Sequence, residues 1–523
     1  MSVSRLRLPR GLLLIAVAGA VSWIVAALLL YHPHVARPFD VVDFPSILTV
    51  FRAEGTFPHR FQSLIATDFA QGRARLLEYS LFALKWSLFG ESTVAWQLAS
   101  AAQMFAFAGM LFLQLRRWGA TRLGSACATT LVLCSHVAAE GWMRLSISEA
   151  VGATLMLAAI NLATRIEGSR HWMRLLLAIS GIVAAMLFMK EMYVATMPAI
   201  WFSGAASDAH GALRVPKISK RSVQLGVCLA IVCFLILAPM AFIALSSPSE
   251  AYARHFGRAS LSVSTLFAYY AGVVVPFVPA TFPVNAAVLL ADLAFLLLLL
   301  IGWKLLLSEA ESKQPLVTLL WFALALPLLC ALAYLPWPEF KLRYGIPYLL
   351  GPAILVSFAV TGVQRSVPRM AWCAVVAWAV VTVYMASEAH RYARRVEASL
   401  GMMAELSRTL ERLPAQDSVL YSVCDVPVSA WEGISPIVEK YARSEGARVP
   451  DSKRTSCDDG RARAAQVPRT AVIVFVSDRA QSVSQPRQSI VYVANRFDWS
   501  ALTFATDTVR ADIAMMPQAS VLR

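Results

Sequence analysis

Charge is scarce in this chain. Only 15% of its 523 residues are Asp, Glu, Lys or Arg, while 58% are hydrophobic. Soluble helices are apolar along one face only, so composition this poor in charge excludes a string of soluble domains. Familiar nucleotide and hydrolase signatures are also missing. There is no GxxxxGK[ST] phosphate loop, no GxGxxG after a strand, no HExxH and no GxSxG. An ATP-driven transporter domain and a dinucleotide-dependent enzyme are therefore unsupported. Neither CxxC nor a Cys/His spacing suited to zinc occurs, and no basic stretch carries the interleaved aromatics of a nucleic-acid surface. Acidic residues at mid-depth of apolar runs, the mark of ion-coupled transport, are few, and Asp292, near the start of its run, is the main candidate.

Uncharged runs long enough to cross a bilayer are what the chain has instead. Eleven are expected: 11–31, 92–115, 124–140, 146–164, 175–189, 191–205, 223–245, 285–306, 315–335, 345–363 and 370–387. The fifth and sixth are short and separated only by Lys190-Glu191, which predicts a tight helical hairpin. The first run follows Arg5, Arg7 and Arg10 and is too long for a signal-peptide core, so it reads as an uncleaved span with a cytoplasmic N-terminus.

The net charge of +15 sits mainly in short loops, in the manner of the positive-inside rule, and membrane lipids rather than nucleic acid are the expected partners. One side carries Arg116/Arg117/Arg122, Arg165/Arg170/Arg174, Arg214/Lys217/Lys220/Arg221, Lys304/Lys313 and Arg365/Arg369. The other carries the long first loop 32–91, the 136–145 turn, the 246–284 segment, the 336–344 turn and everything after 388. A twelfth uncharged stretch, 259–283, would invert this parity if it spanned. Its Pro276, Pro279 and Pro283 favour an interfacial or re-entrant course.

Two domains are expected: a transmembrane unit over 1–388 and a small α/β soluble unit over 389–523, placed in the periplasm of a bacterial inner-membrane protein. Strand-like runs cover 418–423, 470–477 and 489–494, and 446–469 reads as a mobile linker. Six of the eight cysteines lie in apolar runs. Cys424 and Cys457 fall in the polar C-terminal region and could pair in an oxidising compartment.

Polar groups gather at the predicted outer span ends. Loop one holds Asp40, Asp43, Asp68, Arg73, Arg75 and Glu78; the next turns hold Glu140, Arg144 and Glu149, then Lys190 and Glu191. Arg254, His255 and Arg258 follow, then Glu339, Lys341, Arg343 and Tyr344. Such a face suits a reaction at a membrane surface, with an acid as general base and cations holding a lipid phosphate.

In order along residues 1–390, DVVDF, QGRARLLEYSLFALKWSLFG, LQLRRWGATR, MRLSISEA, FMKEM and KLRYGIPYLLG resemble stretches of the GT-C membrane glycosyltransferases, the class of protein O-mannosyltransferases and aminoarabinose transferases. Leu76 stands where many members have proline, and the usual adjacent acidic pair is split as Asp40-Val-Val-Asp43. The resemblance implies a helical GT-C-like fold, a polyprenyl-phosphate-linked sugar donor and an envelope glycan, lipid or protein acceptor on the outer face, with inversion at the anomeric carbon. It makes Asp43 or Asp40 the general base, the plainer alternative being a helix cap. Lys190, Arg343 and Arg258 are the candidates for the donor phosphate, although Lys190 could instead pair with a neighbouring acid such as Glu149 or snorkel to the interface, and Arg343 could meet a lipid headgroup. Glu149 (as a partner of Arg144), Arg73 and Tyr344 are expected to support the site. No metal or other cofactor is expected, although the acidic pair could recruit a divalent cation. A flippase or exporter of a lipid-linked or anionic precursor is the alternative, and an envelope assembly factor ranks last.

Overall fold

The computed structural model describes residues 56–70, 75–143, 148–246, 286–334 and 342–368, the strand segments 418–424, 452–456, 471–477 and 490–495, and isolated positions at 266, 270, 376, 379 and 383. Among the sequence candidates, Asp40, Asp43, Arg73, Arg258 and Cys457 lie outside these residues, as do most of 259–283 and the runs 11–31 and 370–387 apart from three helical positions.

The described part of the first unit is helical. Loop one supplies α1 (Phe57–Ala70) and α2 (Leu76–Phe89). Then follow α3 (Thr93–Arg117), α4 (Arg122–Leu133), α5 (His136–Met143), α6 (Glu149–Ala163), α7 (Trp172–Met189) and α8 (Met197–Ala205). Next come α9 (Lys220–Ser246), α10 (Ala286–Glu309), α11 (Gln314–Tyr334) and α12 (Leu350–Ser366). Four of the described helices, Val94–Arg117, Trp172–Met189, Lys220–Phe242 and Gln314–Tyr334, are long and apolar enough to cross a membrane.

Local chemistry explains where several elements stop. Gly90, at φ 54°, closes α2 with its N–H on Trp86 O, and the Ser92 side chain caps α3 by accepting from Ala95 N. The expected single run 124–140 is broken instead into α4 and α5. At the break the Ser135 hydroxyl donates to Val132 O and accepts from Ala138 N, so a polar side chain replaces the helical ladder. The expected hairpin at Lys190-Glu191 is also corrected. Lys190 is extended, a 3-10 turn covers Glu191–Thr196, and Pro198 opens α8. Helices α7 and α8 each pack on α6 and α9.

The bundle closes through small residues. A Cβ on Gly362 would meet Gly302 O, one on Gly302 would meet Ala359 O, and one on Gly124 would meet Ser357 O. Backbones of α10 and α4 thus lie directly on α12, as small residues permit between membrane helices. Trp303 Nε1 donates to Leu355 O at 2.9 Å across the first crossing. Loop one is held to this bundle, since Leu64, Phe82, Ala83 and Trp86 bury against Trp96 of α3, and α2 also packs on α7.

In the C-terminal region, β1 (Ser418–Cys424), β2 (Ser452–Ser456), β3 (Ala471–Ser477) and β4 (Ile490–Asn495) form a parallel sheet in the order β2-β1-β3-β4. Three strands fall on the strand-like runs of the sequence. The fourth, β2, lies inside the stretch expected to be a linker; as an edge strand it can be polar (SKRTS) and still complete its hydrogen bonds on one side. The register sets Val423 of β1 opposite Ser456 of β2. The helices expected around the sheet lie outside the described residues, as does the partner needed to judge a Cys424–Cys457 bridge.

Candidate active site

Segments that charge asymmetry assigns to one side of the membrane meet at one end of the bundle. They are the start of α2, the start of α6, the end of α7, the end of α11 and a 3-10 turn at Leu342–Tyr348. Elementary helix electrostatics places the charges. Glu149 stands in the first turn of α6 and Glu78 in the first turn of α2, where the helix dipole favours an acid, while Lys190 caps the C-terminus of α7, where it favours a cation.

Lys190 Nζ donates to Glu149 Oε1 at 2.6 Å, and the two residues are only 7% and 4% exposed. The sequence left this pair open as an alternative to a phosphate ligand and offered Arg144 as the partner of Glu149; the tertiary structure supplies Lys190. The ammonium also lies 4.3 Å from the ring centroid of Tyr344 and 5.9 Å from that of Tyr334, and these two rings stack at 4.2 Å and 3°. A desolvated cation over aromatic faces gains more than an exposed one. Leu266 and Tyr270, the two described positions of the 259–283 stretch, pack on the same aromatic cluster.

Tyr193 completes the floor. Its hydroxyl donates to the backbone O of Glu149 at 3.2 Å, and a Cβ on Gly152 would collide with its ring. Glycine at 152 is therefore what lets the ring lie flat on α6. Arg343 belongs to the same 3-10 turn as Tyr344, with its side chain outside the described residues.

Above this floor, Arg75 Nη1 lies 3.6 Å from Glu78 Oε2, and both side chains are largely buried. Burial is the main influence on Glu78 and pushes its carboxyl up to about 7; Arg75 and Lys190 pull the other way, and the charge of Glu149 adds to the rise. Folded protein thus holds the Glu78 proton more tightly than unfolded chain between about pH 4.5 and 7. Stability should fall as pH rises through that window and stay lowered above it. In thermal unfolding from pH 5 to 8, Glu78→Gln is expected to flatten this decline and to melt higher than the parent at pH 8. An unchanged slope in the variant would show that Glu78 does not carry the proton.

The cluster combines a buried ammonium with two donors left after Glu149, a second cation in Arg75, and an acid near its neutral point. It can hold an anion next to a proton-carrying group. Sequence reasoning named Lys190, Glu149 and Tyr344 for the site. It gave no role to Glu78, Tyr193 or Tyr334, although the Arg75/Glu78 spacing, one helical turn, was visible. Among the described residues no group of three or more His, Cys, Asp or Glu side chains is placed to hold a metal ion.

No protein family model matches the chain, and no curated protein matches it in sequence. Among solved structures, the chain is similar to ArnT from Cupriavidus metallidurans, in its apo state and bound to undecaprenyl phosphate. Identity is 14% over 95% of this chain and 88% of that one, with TM-scores of 0.43 and 0.44. It is also similar to the Archaeoglobus fulgidus oligosaccharyltransferase in complex with zinc and sulfate, at 12% identity over 82% of this chain and 62% of that one, with a TM-score of 0.47.

Proposed function

We propose that this chain is a membrane glycosyltransferase that moves a sugar from a polyprenyl-phosphate donor to a cell-envelope acceptor on the non-cytoplasmic side. One observation carries the proposal: a buried ammonium, Lys190, fixed by Glu149 and two tyrosine faces where loop one meets the outer turns. The ordered GT-C-like stretches in the sequence support the same assignment.

Asp43, or Asp40 three residues before it, takes the proton from the acceptor hydroxyl. The acceptor oxygen attacks the anomeric carbon from the face opposite the lipid phosphate. The bond from that carbon to the phosphate oxygen breaks, and the lipid phosphate leaves with the negative charge. Lys190 meets that charge with the two donors not given to Glu149, helped by Arg75, Arg343 and Arg258. Preorganised cations aimed at developing charge lower the barrier strongly, because they need no reorganisation as the reaction proceeds. Glu78 supports the step electrostatically, because a carboxyl that titrates near 7 can lose its charge when a phosphate enters. The sheet unit at the C-terminus is assigned to the same, periplasmic side.

Purified protein should transfer label from a panel of polyprenyl-phosphate sugars. Asp43→Asn is expected to lower turnover by about 10²–10⁴-fold, the usual worth of a general base. Loss in Asp40→Asn instead would move the base to that residue. Undiminished transfer in both variants would remove loop one from the chemistry. Absence of turnover, with equal donor binding by all three forms, would overturn the transferase in favour of transport.

A further inference from the structure

At the opposite end of the bundle three arginines gather on one turn. At the Trp118-Gly119-Ala120 turn between α3 and α4, Gly119 adopts φ 101°, and the chain reverses within three residues. Arg116 Nη1 donates to Ala120 O, and Arg365 Nη2, from the last turn of α12, donates to Gly119 O at 3.1 Å. The Thr121 N–H on Thr361 Oγ1 at 2.9 Å ties α12 to the same turn. Arg122 opens α4, and its charge and that of Arg365 both act on Arg116. Arg122 and Arg365 are exposed, and Arg116 is half-buried.

None of the three forms an ion pair among the described residues; their only partners there are the two backbone carbonyls. Neighbouring basic residues differ. Arg117 is spent on Asn161, and Arg214 and Arg221 are spent on Glu167 and the carbonyls around it. Three like charges drawn from three helices onto one turn repel each other unless an anion joins them. A phosphate diester suits guanidinium donors, which can engage its oxygens in pairs.

An apolar track leads away from the cluster. Leu113, Gly109 and Phe105 are exposed on the face of α3 that also presents Arg116. A Cβ on Gly109 would touch nothing within 4 Å, so the track is notched between Leu113 and Phe105. Phe105 lies about 16 Å along the helix axis from Arg116 at 1.5 Å per residue. That is close to one leaflet of hydrocarbon, half of a core about 30 Å thick.

We propose that Arg116, Arg122 and Arg365 bind the phosphate headgroup of an anionic phospholipid, with an acyl chain seated along Leu113, Gly109 and Phe105. The charge complementarity and the notched track select this occupant, and nothing in it depends on the sugar-transfer reaction at the other end.

Native mass spectrometry of the full-length protein, titrated with phosphatidylglycerol and with phosphatidylcholine of matched chains, tests the site. The parent should bind at least one phosphatidylglycerol more tightly than any phosphatidylcholine. Each arginine near a membrane surface is worth about a five-fold change in affinity. Arg122→Gln/Arg365→Gln should therefore weaken that binding by about 25-fold. Gly109→Leu, which fills the notch and spares the arginines, should weaken both lipids alike. Arg170→Gln/Arg174→Gln, which removes the same charge from an exposed stretch elsewhere, should change little. An equal loss in that control, or equal binding of the two lipids by the parent, would reduce the cluster to topology alone. Displacement of the bound lipid by excess inorganic phosphate would make the site a free-anion site and overturn the lipid assignment.

Discussion

Glu149→Ala is expected to destabilise the protein by about 3–5 kcal/mol, because it strands a buried ammonium. Lys190 is 7% exposed, and Glu149 is its one carboxylate partner among the described residues. Thermal unfolding and monodispersity in detergent would register the loss. The double variant Glu149→Leu/Lys190→Met should recover most of the stability, since well-packed apolar residues often replace a buried ion pair at little cost. It should nevertheless transfer no sugar, because the cation proposed to meet the donor phosphate is gone. This split separates a structural pair from a working one. Normal transfer by the double variant would confine Lys190 to the scaffold.

Filling the α10–α12 crossing is the second large effect. Gly302→Leu or Gly362→Leu would drive a side chain into the backbone oxygen of the facing helix, where neither rotamer change nor side-chain movement can relieve it. Each is expected to cost at the upper end of the roughly 1–3 kcal/mol typical of overpacking, read as a lower melting temperature and poorer yield. Gly181 on α7 is the internal control. No atom stands within 4 Å of a Cβ there, so Gly181→Ala should be neutral or raise stability by up to about 1 kcal/mol through helix propensity. Equal behaviour of the two classes would mean that the crossing is looser than the structure places it.

How far the candidate site was legible depends on the residue. Lys190 and Glu149 stood out because a charge at apolar depth is costly and needs a reason. Their pairing, 41 residues apart, was visible only as one option among neighbouring acids. Glu78 was passed over as a loop carboxylate, since nothing local says that α2 will be buried against α3 and α7. Tyr334 and Tyr193 were given no role, since each lies within an apolar run. Strand β2 was missed because alternation is the signal for a half-buried strand, and a polar edge strand carries none.

By itself the sequence determined the helical, membrane-crossing character of the first unit, the gathering of basic residues in short loops, and three of the four strands. These follow from composition and short-range periodicity, which are properties of neighbours along the chain. Only the tertiary structure decided that Lys190 meets Glu149, that Tyr344 and Tyr334 stack beside it, that glycines bring α12 against α4 and α10, and that three arginines converge at Gly119. The contacts that close the fold join residues tens to hundreds of positions apart. They depend on which helix faces close on each other, and local chemistry does not encode that choice.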